Sequence, residues 1–458
     1  MGTTSGWEGE VLMLMRFYDS VIKKRRSWEY YEEMRRFKTG SRELAQARLA
    51  DILSHAARTV PFYKGRLDPN ITPENSLDIL ASLPIVTKKD LNGQPDLFKS
   101  AEPGRGGYEN STGGSTGQPL RVLQDQGYFD SAQGAKYLFY EWAGWKPGEK
   151  ILKVWGSQRD VLGQKNNFKS RLSASLRKMR MLDAFKISPQ DVRSYVGEIE
   201  SYRPAILECY VDAAYTVASE MIRQGIRLSQ QVKGVLVSAG TLYPEFESII
   251  KEAFCAPVIN RYGSREAGDI ACTCPEGRIH INPFTHYVEI VDKGGNRIQE
   301  GTGRVILTLL TNKTMPLIRY EIGDLATIRP QETPCPCGRD WQTLERIDGR
   351  MGSLFYKKDG TAISPLFFVH FVGVVHNSGL FEKYQIIQED YGRILIKLVL
   401  AKGVQSFGDV VQRSLEKIRS DFRKVLGEEV EIDFSFEEEI PTLPSGKFVY
   451  ALSEVRHD

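Results

Sequence analysis

Apolar positions along this chain follow several spacings in turn. Between residues 8 and about 57 the spacing is helical. In its second part Leu44, Ala45, Leu49, Ile52, Leu53 and Ala56 recur at three and four residues, forming one apolar stripe that Pro61 ends. From residue 151 short apolar runs take over: ILKVW (151–155), AIL (205–207), GVLVS (234–238) and PVIN (257–260), each suited to a buried strand. DAAYTVASEMIRQG (212–225) and PEFESIIKEAF (244–254) read as helices among them. This alternation predicts a parallel α/β sheet covered on both faces. From about 279 to 330 the pattern turns to β, with HYVEIVDKGG, a hairpin signal in DKGGN, and then RVILTLL. The last hundred residues read as a self-contained α+β unit. YQIIQE, DYG and RILIKLVL form a hairpin, and Val411, Leu415, Ile418, Phe422 and Leu426 give a helix stripe capped by Gly427. EVEIDFS then alternates as a half-buried strand. The expected fold is α/β: a large multi-layer N-terminal domain of mixed and parallel sheets over 1–349, and a small, mobile α+β C-terminal domain over 350–458. No internal repeat is evident.

Composition narrows the class of function. A length of 458 residues suits two or three domains, and 41% hydrophobic with 26% charged residues is ordinary for a globular chain. Sixty-one basic against 58 acidic residues leave a net charge of +3, which excludes bulk electrostatic coating of nucleic acid. The opening MGTTSGWEGE lacks a secretory pattern, and Gly6 stands where a myristoylation signal needs Ser or Thr. The longest apolar stretch, Leu366–Val375, is interrupted by His370 and is about half the ~20 residues of a membrane span. A cytoplasmic protein with no nucleic-acid partner and no transmembrane segment is expected. Lys23-Lys24-Arg25-Arg26 reads as a solvated helix face.

Two clusters carry candidate chemistry. GRGGYENSTGGSTGQP (104–119) cannot pack a core, so it is either a linker or a functional loop. Within it Ser111, Thr112, Gly113, Gly114, Ser115, Thr116 and Gly117 combine approachable backbone N–H groups with hydroxyl donors, as a phosphate chain requires; no GK[ST] signature follows. Of six cysteines, four form two Cys-x-Cys pairs. Cys274, His280, Cys335 and Cys337 supply three thiolates and an imidazole, enough for a tetrahedral structural Zn²⁺, with Cys272 the alternative to Cys274. The competing reading is buried free thiols beside an unrelated histidine. Cys209 and Cys255 fall in predicted core segments.

STGGSTGQP (111–119) resembles the phosphate loop of the adenylate-forming superfamily of acyl- and aryl-CoA synthetases. VSAGT (237–241), RYGSRE (261–266), YEIGD (320–324), DGR (348–350) and PTLPSGK (441–447) follow in that superfamily's order. The words HAARTVPFYKGRL, LPIVTKKDL, YEWAGWKPGEK and TMPLIRYEIGDLATI are similar to the phenylacetate–CoA ligase branch, and RYGSREAGDIA leans toward its CapK-like members, associated with capsular polysaccharide loci. The resemblance covers nearly the whole chain. It implies ATP and Mg²⁺ as cofactors, with the glycine loop on the phosphates and Glu266 anchoring the metal. It also implies Tyr262 stacking on adenine, Ser238, Ala239, Gly240 and Thr241 meeting the base, and Arg261, Gly263 and Ser264 lining the nucleotide. Asp324 and Arg350 fall to the ribose, and Lys447 to the catalytic ammonium. Trp155, Gly156 and Tyr210 would line the pocket for a small carboxylic acid, with an aromatic or flat one favoured. The implied reaction activates the acid with ATP as an acyl-adenylate, releases AMP, and passes the acyl group to CoA or an amine. Placing AMP on a coenzyme or hydroxyl acceptor is the alternative, and a non-catalytic nucleotide-binding protein of a glycan pathway a third. A homodimer is compatible with the sequence. Three positions depart from the pattern: Arg265 replaces a Thr or Ser, Leu120 the loop lysine, and Gly352 the hinge aspartate.

Overall fold

The computed structural model describes residues 16–455 apart from 69, 112–119, 156–177, 185–191, 331–332, 351–354, 360–361, 364–367, 369–371, 373–379, 407 and 442–447. The chain divides into two compact units. One is Met1–Leu242 with Phe246–Ile347, the other Tyr243–Glu245 with Asp348–Asp458.

In the first unit the long helical stretch is two helices, Ser27–Arg36 and Ser41–Thr59. Phe37 turns extended and Gly40 takes φ 87°, a left-handed conformation that breaks the run. The second helix starts on a distant cap: Asp340 accepts from the N–H groups of Gly40 (2.6 Å) and Ser41 (3.2 Å). The basic run Lys23–Arg26 is not the expected helix face: it links the short turn Tyr18–Ile22 to the helix Ser27–Arg36, with Arg25 3.8 Å over the Phe129 ring and Arg26 paired with Glu29 at 2.7 Å.

A hairpin, β1 (Tyr108–Ser111) and β2 (Arg121–Gln124), comes next; the two strands pair antiparallel with Ser111 opposite Arg121. The helix Gln126–Trp142 follows, capped by Asp125. Its Gly134 allows close approach of the first helix: a Cβ there would meet the Tyr30 Cβ at 2.6 Å. The strands β3 (Ile151–Trp155), β4 (Met179–Asp183), β5 (Ile206–Tyr210), β6 (Gly234–Ser238) and β7 (Val258–Ser264) form the expected parallel core. The helices Val211–Arg223 and Pro244–Phe254 match the predicted ones. Antiparallel strands β8 (Gly268–Thr273) and β9 (Ile279–Ile281) extend the sheet. β10 (His286–Val291), β11 (Gly301–Leu309) and β12 (Tyr320–Ile328) pair antiparallel in sequence order. β13 (Thr343–Leu344) completes the first sheet, whose order is β13-β9-β8-β7-β6-β5-β3-β4. Cys209 is buried as expected, but Cys255 is exposed: it lies just past the helix Pro244–Phe254 with φ 48°. A helix-to-strand connection turns there, where a core segment was expected.

β14 (Arg346–Arg350) carries the chain into the second unit, which begins with the short pair β15 (Phe355–Tyr356) and β16 (Ala362–Ile363). Its sheet has β17 (Phe381–Asp390) and β18 (Arg393–Leu400) as the predicted antiparallel hairpin. β19 (Glu431–Phe436) and β20 (Ala451–Ser453) lie parallel on either side, in the order β19-β18-β17-β20. The helix Asp409–Leu426 buries the five stripe residues, and Gly427 with φ 127° ends it.

Candidate functional site

The glycine-hydroxyl loop 112–119 lies outside the described residues, but its flanks are closely held. Ser111 ends β1, where its N–H bonds the Asn110 side chain at 2.9 Å. Asp125, just past β2, accepts from the N–H of Tyr128 (2.9 Å), Lys313 (2.8 Å) and Thr314 (3.1 Å). Gly104 must be glycine there, because a Cβ would sit 2.3 Å from the Asp125 carboxylate. The hairpin also grips the next motif. Gln124 donates to the carbonyls of Arg265 and Glu266, both at 3.1 Å, and Asn110 donates to the Arg265 carbonyl at 3.1 Å. The buried Gln124 and half-buried Asn110 amides fix the turn between β7 and β8 that presents Glu266.

That turn is shaped locally as well. Ser264 Oγ accepts from the Ala267 N–H at 3.1 Å, and Gly263 approaches so close that a Cβ would meet the Gly268 carbonyl at 2.4 Å. Glu266 is buried, with Tyr320 Oη 3.4 Å from its Oε1. Tyr262 donates its hydroxyl to Asp324 Oδ2 at 2.8 Å, so two motifs 62 residues apart meet directly. Ser238 ends β6, and Ala239 takes φ 64°, a strained conformation for a residue with a Cβ. Gly240 faces Val211, whose Cβ an added methyl would touch at 3.0 Å, and Thr241 follows it. Thus Ser111, Tyr262, Gly263, Ser264, Glu266 and Asp324 belong to one linked set of strand ends and turns. Arg350 lies on β14 in the second unit. Lys447, Gly156 and Gly352 lie outside the described residues.

The Ala267 carbonyl accepts from His286 Nε2 at 2.9 Å, and Thr285 Oγ1 sits 2.8 Å from Nδ1. Burial pushes the His286 imidazolium down to about 4 from the usual 6.5. The unfolded chain therefore binds the extra proton between those values. Stability is full above about pH 6.5 and declines as pH falls toward 4. Urea unfolding at pH 7 and pH 5 is expected to show a loss of about 2 kcal/mol that shrinks in His286→Gln.

Sequence reasoning missed the ion network on the parallel sheet. Lys153 and Glu208 stand opposite each other on β3 and β5 and pair at 2.7 Å. Arg261 pairs with Glu208 at 2.8 Å and lies 3.5 Å from Asp269, and the Tyr140 hydroxyl donates to Glu208 at 2.6 Å. Burial opposes the Glu208 charge, but Lys153 and Arg261 outweigh it and hold the carboxyl well below the usual range. Arg261, expected against the nucleotide, is buried in this network. One level along the same face, Trp155 and Tyr210 pack with ring centroids 4.3 Å apart. The signal available in sequence was a glutamate inside a short apolar run, which a buried strand tolerates only when it is paired.

The four expected metal-ligating residues converge. The donor atoms of Cys274, His280, Cys335 and Cys337 all lie within 4.8 Å of one another. Cys274 and Cys335 sulfurs are 3.7 Å apart, and Cys337 Sγ is 3.4 Å from His280 Nε2. A tetrahedral zinc with bonds of about 2.3 Å to sulfur and 2.0 Å to nitrogen needs edges near these lengths. Two tight turns aim the sulfurs: Gly277 N–H bonds the Cys274 carbonyl and Gly338 N–H the Cys335 carbonyl, both at 2.9 Å. His280 Nδ1 lies 3.2 Å from the Trp341 carbonyl, leaving Nε2 facing the thiols. Cys272 stands outside the cluster, its sulfur on the Thr273 carbonyl at 3.7 Å. Among the described residues no helix is long and apolar enough to cross a membrane.

Comparison with known proteins fits this arrangement. Residues 355–454 match the CapK C-terminal domain. Over 441 residues the chain is 24% identical to Protein CapK of Staphylococcus aureus, spanning 95% of this chain and 94% of that one. It is 25% identical over 320 residues to phenylacetate-coenzyme A ligase of Thermus thermophilus, spanning 68% of this chain and 70% of the ligase. Among solved structures, 2-hydroxyisobutyryl-CoA ligase in the postadenylation state superposes with a TM-score of 0.69 at 17% identity, covering 90% of this chain and 89% of that one. Such a likeness establishes the shared fold.

Proposed function

From the premise that this chain has the adenylate-forming fold and resembles CapK and the phenylacetate–CoA ligases, we propose that it is an AMP-forming ligase. A carboxylate oxygen attacks the α-phosphate of ATP, pyrophosphate leaves, and the acyl-adenylate then passes its acyl group to a thiol such as CoA or to an amine, releasing AMP. The observation that carries this is the linkage of three separate motifs. The β1–β2 hairpin holds the Glu266 turn through Gln124 and Asn110, and Tyr262 reaches Asp324 across the same site. In this reading Ser111 and the loop 112–117 take the β- and γ-phosphates. Glu266 is the carboxylate for Mg²⁺, a hard cation that favours such oxygen donors. Tyr262 covers adenine beside Ser238–Thr241, and Asp324 accepts from the vicinal ribose hydroxyls, joined by Arg350. Lys447, in a small mobile domain starting near residue 350, bridges the substrate carboxylate and the α-phosphate. Zinc fits the Cys274, His280, Cys335 and Cys337 donor set, which leaves no ligand position open and so makes the site structural.

Isotope exchange between ATP and pyrophosphate, screened over a panel of carboxylic acids with and without CoA, tests this. Acid-dependent exchange is expected; its absence with every acid overturns the proposal. In the alternative reading, AMP is placed on a coenzyme or other hydroxyl acceptor and stays there. Labelled ATP separates the two: AMP released free supports the ligase, AMP retained on the acceptor the transferase.

A further inference from the structure

The short π-helical turn Tyr18–Ile22 is built inside out. Its one buried residue is the acid Asp19, only 4% exposed, while Val21 and Ile22 are 56% and 61% exposed and Phe17, just before the turn, 55%. The turn is also fastened in that orientation. The Trp28 indole donates to Asp19 Oδ2 at 3.2 Å, and the Arg25 N–H bonds the Asp19 carbonyl at 2.8 Å. Arg16, 5.1 Å over the Trp28 ring and 2.8 Å from Glu32, holds the chain ahead of it. Polar contacts thus occupy the side toward the protein, and the apolar side chains are left in water. Eight large apolar side chains are exposed among the described residues, and three of the eight fall within these six positions. Single exposed apolar residues are ordinary; a fixed group of them marks a surface that meets something else.

Charge selects the partner. From Arg16 to Arg26 there are five basic residues and one acid, the buried Asp19. Lys23 and Lys24 follow Ile22 directly and are exposed. The Lys23 ammonium lies 5.7 Å over the Tyr18 ring, and neither lysine pairs with a carboxylate among the described residues. We infer that Phe17, Val21 and Ile22, with Lys23 and Lys24 beside them, form a docking surface for an anionic lipid membrane. The apolar tips enter the boundary between headgroups and acyl chains, and the long lysine stems carry their ammonium groups to the lipid phosphates. With three apolar side chains the attachment is peripheral and reversible. A nucleic acid would take up the cations and leave Val21 and Ile22 in water. A protein partner suits the surface less, because interface cores are depleted in lysine.

Cosedimentation of the full-length protein with vesicles tests this. Phosphatidylglycerol and phosphatidylcholine at about 3:7 are compared with phosphatidylcholine alone in about 0.1 M NaCl. Affinity for the anionic vesicles is expected to be at least about tenfold higher, and to fall as salt is raised to about 0.5 M. Lys23→Gln with Lys24→Gln should weaken binding roughly tenfold or more, since each lysine near such a surface is worth about fivefold. Val21→Ser with Ile22→Ser should weaken it by a similar factor. All four side chains are exposed, so thermal unfolding should stay unchanged in both variants. Equal affinity for the two kinds of vesicle, or full affinity in either double variant, overturns the inference. So does binding to neither vesicle; if the protein then self-associates or captures polyglutamate through Val21 to Lys24, the face belongs to a protein partner.

Discussion

Lys447→Ala is expected to leave a folded protein whose acid-dependent pyrophosphate exchange falls by about 100- to 1000-fold, the usual effect of deleting one charge-stabilising donor. Negative charge builds on the α-phosphate as the carboxylate attacks, and the ammonium of PSGK would meet that charge at the moment it develops. The substitution should spare folding because it leaves the flanking anchors in place: Ile440 and Phe448 are buried, and the sheet strand β20 begins at Ala451. Lys447→Arg is not expected to restore the rate, since a planar fork differs from a compact ammonium in reach and shape. Exchange within threefold of the unaltered protein in the alanine variant would remove Lys447 from the mechanism.

The second large effect concerns the cysteine cluster. Protein prepared without chelator should hold about one equivalent of zinc, and Cys335→Ser should lose it together with about 3–5 kcal/mol of stability, a fall in Tm of roughly 5–10 °C. Cys272→Ala, outside the cluster, should keep the metal. Less than about half an equivalent in carefully prepared protein defeats the assignment, as does a Cys272 variant that loses zinc while Cys335→Ser retains it.

What could be read in advance followed from local physics. β3 and β6 were legible as short apolar runs, because strands buried on both faces have no polar period to confuse. The helix Asp409–Leu426 was legible because one of its faces meets water. The helix Gln126–Trp142 was not, because its buried positions include Tyr128, Asp130, Ser131 and Gly134, residues set by what they touch and not by helical preference. The break between the first two helices likewise depends on Asp340, 300 residues away. The candidate site divides the same way. Tyr262, Glu266 and Asp324 sit in short motifs whose order carries information. Glu208 belongs to no motif, and Asp269 lies in RYGSREAGDIA without a role of its own there; only the folded sheet brings the two to Arg261, which the resemblance gave to the nucleotide.

The cap that Asp340 places on the helix Ser41–Thr59 has a consequence for biosynthesis. Arg339 also donates to the Arg35 carbonyl at 3.1 Å, and Lys38 to the Cys337 carbonyl at 3.4 Å, so the earliest helices are fastened by a loop made near the end of the first unit. At the usual pace of about 5–20 residues per second, the ribosome needs roughly 15–60 s to bridge that gap. Leu49, Ile52, Leu53 and Ala56 find Val60, Tyr63, Leu80 and Leu83 soon after they emerge, but their cover by Leu310 and Ile318 and the cap from Asp340 arrive only after that interval, during which part of the stripe stays open to water.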